Sequence, residues 1–178
     1  MSNLSTKIME HNTIMTKLYD QEEVIDQVGN LLKEVLKTNK VLVCGNGGSA
    51  SDANHFVAEL MVKFKNPRNP LPALSLCNNT ALLTAHCNDL TYSTIFSRQI
   101  EALGNKDDIL IAISTSGTSM NILQAVQKAI DKNIKVILLT GDKIQLNGCI
   151  NINVPSSRTD LIQEAHIFLL HFWCEYLE

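Results

Sequence analysis

The 178-residue sequence lacks the features that would direct it to a membrane, to nucleic acid or to an oxidising compartment. No apolar run approaches the roughly 20 residues that cross a bilayer, and the first ten residues lack the basic-then-apolar pattern of a signal peptide. The 15 Lys and Arg residues against 18 Asp and Glu residues give a formal net charge of −3 without a polybasic patch, so nucleic acid is not an expected ligand. The five cysteines are scattered and form no CxxC pair, which argues against a disulfide framework and a thiolate metal site. We expect a soluble, cytoplasmic protein with reduced thiols.

Short apolar runs recur along the chain, and each has the length of a β-strand. They are residues 41–44, 71–76, 109–113, 135–140 and 150–154. Because the runs are continuously apolar and most are separated by segments with helical spacing, they are typical of a parallel sheet covered on both faces. The sequence therefore predicts an α/β fold, an open, doubly wound parallel sheet of about five strands flanked by helices.

The first part of the chain has the pattern of a long amphipathic helix. Between residues 14 and 36, apolar positions recur at spacings of three, four and seven with charges between them. This predicts a single domain, residues 1–178, made of an N-terminal helical arm (1–37) and an α/β core (38–178). The apolar stripe packs either on its own domain or on another subunit, and a helix of about 20 residues, about 30 Å long, slightly favours the second.

A glycine loop follows the first predicted strand. Gly45, Gly47 and Gly48 allow positive φ and close approach of a ligand, and the first N–H groups of the next helix attract anions. We expect that helix to begin at Ser49 as its N-cap, with Asp52 three residues on completing an approximate capping box.

The predicted helix carries side chains suited to acid–base or metal chemistry. Asp52, His55 and Glu59 are spaced by three and four residues and share one face. A helical His/Glu pair is more often a surface contact, but its position after a glycine loop favours a site. On the final predicted helix (159–177), Gln163 and His171 differ by about 12 Å in height and about 80° in direction. They reach one ion only if the Gln side chain extends along the helix or if two subunits supply them.

A second loop, residues 114–119 (STSGTS), follows the third predicted strand and carries five hydroxyls around one glycine. Such a turn can surround a phosphate with O–H and N–H donors. It contains no Lys, so it is not a nucleotide P-loop. The alternative is an ordinary loop that caps a helix.

Residues 45–50 also satisfy a loose G-x-G-x-x-A dinucleotide pattern. The Rossmann fingerprint requires an acidic residue at the end of the next strand, about 20 residues on, to bind the ribose. Here the second predicted strand continues into Cys77, Asn78 and Asn79, none of which is acidic. A nicotinamide or flavin enzyme therefore ranks below a sugar-phosphate enzyme.

Over nearly its whole length the chain resembles the sugar isomerase (SIS) domain family, and within it the phosphoheptose isomerases. The resemblance rests on ordered motifs: GNGGSASDANHFVAEL, the Asn88-Asp89 pair followed by IFSRQIEALG, DDILIAISTSGTSMNI, KVILLTG and IQEAHIFLLH. It implies an SIS-type fold and a cytoplasmic homotetramer that uses a sugar-phosphate substrate, with the active site at a subunit interface. The implied reaction converts sedoheptulose 7-phosphate to D-glycero-D-manno-heptose 7-phosphate through an enediol(ate), the first step of bacterial nucleotide-heptose synthesis for lipopolysaccharide or capsule.

The resemblance also implies roles for particular residues. It places the acid–base pair at Glu59 and His171, and one zinc ion on His55, Glu59, Gln163 and His171. The substrate contacts that it implies are Asn46, Gly47, Gly48, Ser49, Asp89, Ser114, Thr115, Ser116, Ser119, Asp160 and Gln163. The chain departs from the family at Lys63, where members commonly carry Arg, and in segment 141–151, which looks shorter than usual.

Two alternatives to this function remain open at this point. Some relatives with this fold act as non-catalytic adaptors or sugar-phosphate sensors, but those lose the Glu or His of the pair. The second alternative is an isomerase of another sugar phosphate, such as a pentose or an amino sugar, because a phosphate loop does not determine the length of the sugar.

Overall fold

The computed structural model describes residues 2–142 and 144–178. Its strands are β1 (Val41–Gly45), β2 (Ala73–Ser75), β3 (Ile109–Ser114), β4 (Lys135–Thr140) and β5 (Cys149–Asn153). Its α-helices are α1 (Asn3–Lys17), α2 (Glu22–Val35), α3 (Gly48–Met61), α4 (Thr80–Asp89), α5 (Ile95–Leu103), α6 (Met120–Asp131) and α7 (Thr159–Tyr176). Short 3-10 helices lie at Leu18–Gln21 and Tyr92–Thr94. None of the helices in these described parts is long and apolar enough to cross a membrane.

The five strands form one sheet in the order β2-β1-β3-β4-β5, and every pairing is parallel. The predicted fold class is confirmed. The strand order reverses between β1 and β3, which is the position where open α/β sheets bind ligands at the carboxyl ends of their strands. The glycine loop follows β1 and the hydroxyl loop follows β3, so both lie at this switch point.

Alternate residues of the strands fill two separate cores, one on each face of the sheet. Val41, Val43 and Ile109 belong to the core that contains side chains of α2, α3 and α7. Leu42 and Leu110 belong to the other core, with side chains of α5 and α6. This alternation is the two-residue period of a strand, and it explains why the strands read as continuously apolar.

The predicted N-terminal helix is present as α1 and α2, joined by the 3-10 helix Leu18–Gln21. Ile14, Leu18 and Ile25 are buried in the core beneath α7, so much of the apolar stripe packs on the same chain. The indole N–H of Trp173 on α7 donates to the Ile25 carbonyl of α2 at 3.0 Å. The helical arm is thus attached to the core by apolar packing and by a buried hydrogen bond.

The break in the arm brings Gln21 to the outer edge of β5. Its amide nitrogen donates to the Asn153 carbonyl at 2.7 Å, and its amide oxygen accepts the Asn153 N–H at 3.0 Å. One side chain therefore pairs both outward-facing backbone groups of the last residue of β5.

Strand β2 is shorter than the predicted 71–76 run and forms the other edge of the sheet. Pro72 immediately precedes it and has no N–H to donate, although its carbonyl accepts from the Val41 N–H at 3.0 Å. Proline confines a strand to an edge position and shortens the ladder, which accounts for the difference.

At the opposite end of the sheet from these loops, the buried carboxylate of Asp108 joins the starts of β1 and β3. It accepts the Lys40 ammonium at 2.5 Å, the Lys40 backbone N–H at 3.1 Å and the Asn105 N–H at 2.7 Å. Burial alone would raise the pKa of Asp108, but the hydrogen bonds from Lys40 and Asn105 outweigh it and lower the pKa.

Candidate active site

The glycine loop turns one residue earlier than expected. Helix α3 begins at Gly48, and Gly47 holds the N-cap position with φ 55° and ψ −120°, a conformation that glycine adopts easily. The predicted Ser49 N-cap is wrong: Ser49 lies in the first turn, is 5% exposed, and donates its N–H to the Asn46 carbonyl at 3.0 Å. The turn is closed by glycine geometry, so no side-chain cap is required.

Asn46 is held in one orientation by a neighbouring helix and loop. Its amide nitrogen donates to Asn121 Oδ1 at 2.9 Å, while its amide oxygen accepts from Asn121 Nδ2 at 2.8 Å and from the Tyr92 hydroxyl at 2.7 Å. Asn121 is 3% exposed and lies in the first turn of α6. The Asn46 oxygen is fully engaged, so its remaining N–H is the group available to a ligand.

Gln163 of α7 lies on the first turn of α3. A Cβ built at Gly48 would be 1.8 Å from Gln163 Nε2, so only glycine leaves room for this amide. Burial raises the pKa of the Asp52 carboxyl group, and the neighbouring Gln163 amide and His55 oppose that effect only in part. Asp52 Oδ2 is buried and has no hydrogen-bond partner among the described residues.

Further along the same pair of helices, two imidazoles and a carboxylate come together. His55 Nε2 and His171 Nε2 are 2.8 Å apart, so one nitrogen donates and the other accepts. Glu59 Oε1 lies 3.6 Å from His55 Nε2, and the Glu59 side chain is 22% exposed. Burial lowers the pKa of His171, the neighbouring His55 lowers it further, and Glu59 opposes both. The neutral imidazole is therefore the favoured form of His171 at neutral pH.

These contacts establish the relative direction of α3 and α7. Gln163 contacts Gly48 at the start of α3. His171, eight residues after Gln163, contacts His55, which is two turns further along α3. The two helices therefore run side by side in the same direction, and one chain supplies all the residues of this face.

The donor types of this group suit zinc, although no group of three or more His, Cys, Asp or Glu side chains in the described residues is arranged as a ready metal site. Two nitrogen ligands on a tetrahedral zinc ion would be about 3.4 Å apart, given Zn–N bonds of about 2.05 Å. His55 and His171 are 2.8 Å apart and bond to each other. Imidazole nitrogens and a carboxylate oxygen are common zinc ligands, and the two His side chains need a displacement of less than about 1 Å to make room.

The hydroxyl loop is partly used for its own turn. Ser114 is buried, and its Oγ accepts the Gly117 N–H at 3.1 Å, while Ser116 Oγ accepts the Thr118 N–H at 3.3 Å. Ser119 is the N-cap residue of α6. Thr115 and Ser116 border a cavity of about 360 Å³ that is also lined by Gly141, Asp142, Ser156, Ser157, Thr159 and Ile162. The hydroxyls of Ser156, Ser157 and Thr159 add to this surface, which the motif alone did not indicate.

Two of the expected sugar contacts lie elsewhere in the isolated chain. Asp160 is bound by the Arg158 guanidinium, and this hydrogen bond is the main cause that lowers the pKa of Asp160 to about 2. Asp89 lines a separate cavity between α4 and α5, together with Arg98 and Gln99, and accepts a hydrogen bond from Asn88. Neither carboxylate contacts the His55 and His171 pair.

The end of α3 is held by residues that the motifs did not identify. Lys63 is exposed, whereas Arg68 donates to the carbonyls of Glu59 and Leu60 at 2.7 and 2.8 Å. The Phe64 ring stacks on the His171 imidazole, with centroids 5.4 Å apart and planes 22° from parallel. Neither Arg68 nor Phe64 belongs to a periodic pattern, so no signal in the sequence predicts these contacts.

Comparisons with known proteins agree with this arrangement. Residues 8–141 match the model of the SIS domain. A phosphoheptose isomerase of Helicobacter pylori strain P12 is 44% identical over 180 residues, which cover 98% of this chain and 94% of that protein. The structure of a phosphoheptose isomerase from Neisseria gonorrhoeae has a TM-score of 0.90 at 36% identity, covering 98% of this chain and 96% of that one. One from Francisella tularensis has a TM-score of 0.87 at 37% identity, with coverage of 99% and 98%.

Proposed function

This chain belongs to the SIS domain family, and from that premise we propose that it is a phosphoheptose isomerase that converts sedoheptulose 7-phosphate to D-glycero-D-manno-heptose 7-phosphate. The observation that carries the proposal is the meeting of Glu59, His55 and His171 on the facing sides of α3 and α7, with α3 the helix that follows the glycine loop. The product would enter bacterial nucleotide-heptose synthesis.

The exchange of an aldose and a ketose requires a base that moves one proton between C1 and C2 through an enediol(ate). Glu59 would take the proton from one carbon and return it to the other, since its carboxylate is partly exposed at the site. His171 would move a proton between the two sugar oxygens. Its neutral imidazole suits that task because one ring nitrogen donates while the other accepts.

Zinc is part of the proposal, held by His55, Glu59, Gln163 and His171. Bound there, the ion would polarise the sugar carbonyl and stabilise negative charge on the enediolate. The support is the donor chemistry of the four side chains and the short His55–His171 contact. A carboxylate bound to a cation is a weaker base, and an imidazole nitrogen bound to a cation cannot exchange a proton. Glu59 would therefore act as the base, and His171 as the proton shuttle, only when they are not ligands.

The phosphate group would bind at the hydroxyl loop, to the side chains and N–H groups of Thr115, Ser116 and Ser119. Ser114 would support the loop through its bond to the Gly117 N–H. The sugar would be held by the free N–H of Asn46 and by the backbone of Gly47 and Gly48. Asp89 and Asp160 would contact the sugar only if they came from another subunit or if they released their present partners, Asn88 and Arg158.

We further propose a cytoplasmic homotetramer with the active site at a subunit interface. An apolar groove between α1, α2 and α7, lined by Met15, Tyr19, Phe168 and Phe172, gives an interface that a second copy could cover. None of the five cysteines is paired in a disulfide within the described residues, which suits a reducing compartment.

The test is turnover of sedoheptulose 7-phosphate by the purified protein, followed by detection of the aldose product, before and after chelation and with zinc restored. We expect conversion that falls on chelation and returns with zinc. Conversion that persists after complete chelation would remove zinc from the proposal and leave the isomerase. No conversion under any of these conditions would overturn the substrate assignment.

Glu59→Gln separates catalysis from folding in the same assay. The amide keeps the size of the side chain but removes the base, so turnover is expected to fall by at least about 100-fold while the melting temperature stays close to that of the unmodified protein. Near-normal turnover would contradict the role of Glu59. A panel of pentose and amino-sugar phosphates distinguishes an isomerase of another substrate from a protein that only binds them.

A further inference from the structure

A contact between the loop after α3 and Glu178, two residues beyond the end of α7, adjoins the His171 imidazole. The backbone N–H groups of Phe64, Lys65 and Asn66 all donate to one oxygen of Glu178, Oε1, at 3.2, 2.7 and 3.0 Å. The Asn66 side-chain amide donates to the other oxygen, Oε2, at 3.1 Å. Three successive N–H groups that converge on one anion form a backbone nest. A single carboxylate therefore holds three consecutive peptide units.

The same loop carries the ring that covers His171. Phe64 stacks on the imidazole at 5.4 Å between centroids, and the Lys65 ammonium lies 5.4 Å from the centre of the Phe64 ring. The ring of His55 also contacts His171, meeting it edge-on at 5.0 Å. The position of the Phe64 ring depends on the backbone at residues 64–66, which is the segment that Glu178 holds.

We propose that Glu178 is a positioning residue of the active site: by holding the peptide units of residues 64–66 it keeps Phe64 stacked on His171 and so sets the plane of the imidazole. This inference rests on the role of His171 in the proposed function. The plane of an imidazole is weakly restrained by its own torsion, so it is set by its contacts, which here are the Phe64 ring on one face and the hydrogen bond to His55. A misplaced nitrogen would slow proton transfer without changing how the phosphate binds.

The chain provides a matched control three residues before Glu178, at the end of α7. Glu175 also reaches the loop, but it contacts only the Lys65 side chain, at 2.6 Å, and both partners are more than half exposed. Such a surface ion pair contributes little, about 0–1 kcal/mol. Glu175→Ala thus removes a carboxylate from the end of α7 and leaves the nest intact, whereas Glu178→Ala removes the nest contact.

The first readout is geometric and does not require turnover. In protein labelled at histidine, the Phe64 ring shifts the carbon-bound protons of His171 upfield, and that signal is assigned by its loss in His171→Gln. We expect Phe64→Ala and Glu178→Ala to remove the upfield shift and Glu175→Ala to keep it. An unchanged shift in Glu178→Ala would overturn the inference, whether or not the protein isomerises a heptose.

The second readout is kinetic. Glu178→Ala is expected to lower kcat by about 10- to 100-fold with KM within about twofold, and Phe64→Ala/Glu178→Ala to be no slower than Phe64→Ala alone. Two results would mean that Glu178 only stabilises the chain after α7. One is a kcat of Glu178→Ala within twofold of that of the unmodified protein, and the other is a double variant in which Glu178→Ala lowers kcat as much as it does alone. If Glu178→Ala does not fold, Glu178→Leu takes its place, because it keeps most of the size of the side chain and still removes the acceptor of the three N–H groups, so the same two losses are expected. If the unmodified protein shows no turnover, the proposed function fails, and the spectroscopic result alone decides the inference.

Discussion

At Gly48 the site depends on the absence of a side chain. The amide of Gln163 occupies the space that a Cβ would need, at a distance of 1.8 Å from the built position. The group that must move is the end of a flexible side chain rather than backbone, so the fold can accept a methyl group by displacing Gln163. Alanine also has a higher helix propensity than glycine, by up to about 1 kcal/mol.

We therefore expect Gly48→Ala to change stability and activity in opposite directions. The free energy of unfolding should stay equal or rise slightly, while kcat/KM falls by about 10-fold or more because Gln163 leaves its place on α3. The measurements are chemical denaturation and steady-state turnover. Gln163→Ala is the reference, since adding Gly48→Ala to it should cost little more activity. Full activity in Gly48→Ala would show that this position of Gln163 does not matter.

At the same scale, the sequence predicted which side chains share a face but not all of their partners. The spacing of His55 and Glu59 on α3 indicated correctly that they lie together. The spacing of Gln163 and His171 left two geometries open, because it contains no information on the direction of the neighbouring helix. The stacking of Phe64 on His171 joins residues more than 100 positions apart, and no local pattern encodes it.

Among the elements, β1 and β3 are tied together at their starts by Asp108. The pKa of Asp108 is lowered in the folded protein, so the ionised carboxylate stabilises the fold above the unfolded pKa of about 3.9. This contribution is lost as the pH falls through the lower folded pKa, because below it the carboxyl group is protonated in both the folded and the unfolded state.

Asp108→Asn should lower the free energy of unfolding by about 1–3 kcal/mol at pH 7, since the carboxylate is 1% exposed and the amide cannot pair with the Lys40 charge. The difference between the two proteins should narrow in denaturation curves measured below about pH 4. A difference that is constant from pH 7 to pH 3 would mean that the charge of Asp108 is not the cause. Turnover per folded molecule should be unchanged, because Asp108 lies at the end of the sheet opposite the site.

The strands were easier to predict than the ends of the helices. Continuous apolar runs identified all five strands, and residues 135–140 matched β4 in full. The break at Leu18–Gln21 was not predicted because the apolar spacing continues across it. The start of α3 was misplaced because Ser49 has the chemistry of an N-cap, whereas the positive φ of Gly47 ends the loop first.

Considered as a whole molecule, the helical arm shares a core with the sheet. Ile14, Leu18 and Ile25 are packed with strand residues and with α7, and the protein's one tryptophan, Trp173, is fully buried against the Ile25 carbonyl. Residues 1–37 and 38–178 were predicted as an arm and a core of one domain. The shared packing leads us to expect that they unfold together.

The expected result is that unfolding curves from Trp173 fluorescence and from far-ultraviolet circular dichroism coincide at a fixed protein concentration. The fluorescence reports the contact between arm and core, while the dichroism reports all the helices. A fluorescence transition at lower denaturant would show that the arm separates first. Trp173→Phe should lower the free energy of unfolding by about 1–3 kcal/mol, because it removes a buried hydrogen bond and part of a packed ring.

Gln21 has a further consequence for the behaviour of this protein at high concentration. An open parallel sheet has two edges whose unpaired N–H and C=O groups can recruit strands from other molecules and start aggregation. At one edge β2 has only three residues and follows a proline. At the other, the Gln21 amide occupies the backbone groups of Asn153 in the way that a sixth strand would. The short 3-10 helix that interrupts the arm therefore also covers the end of this edge, where one glutamine stands in the way of a further strand.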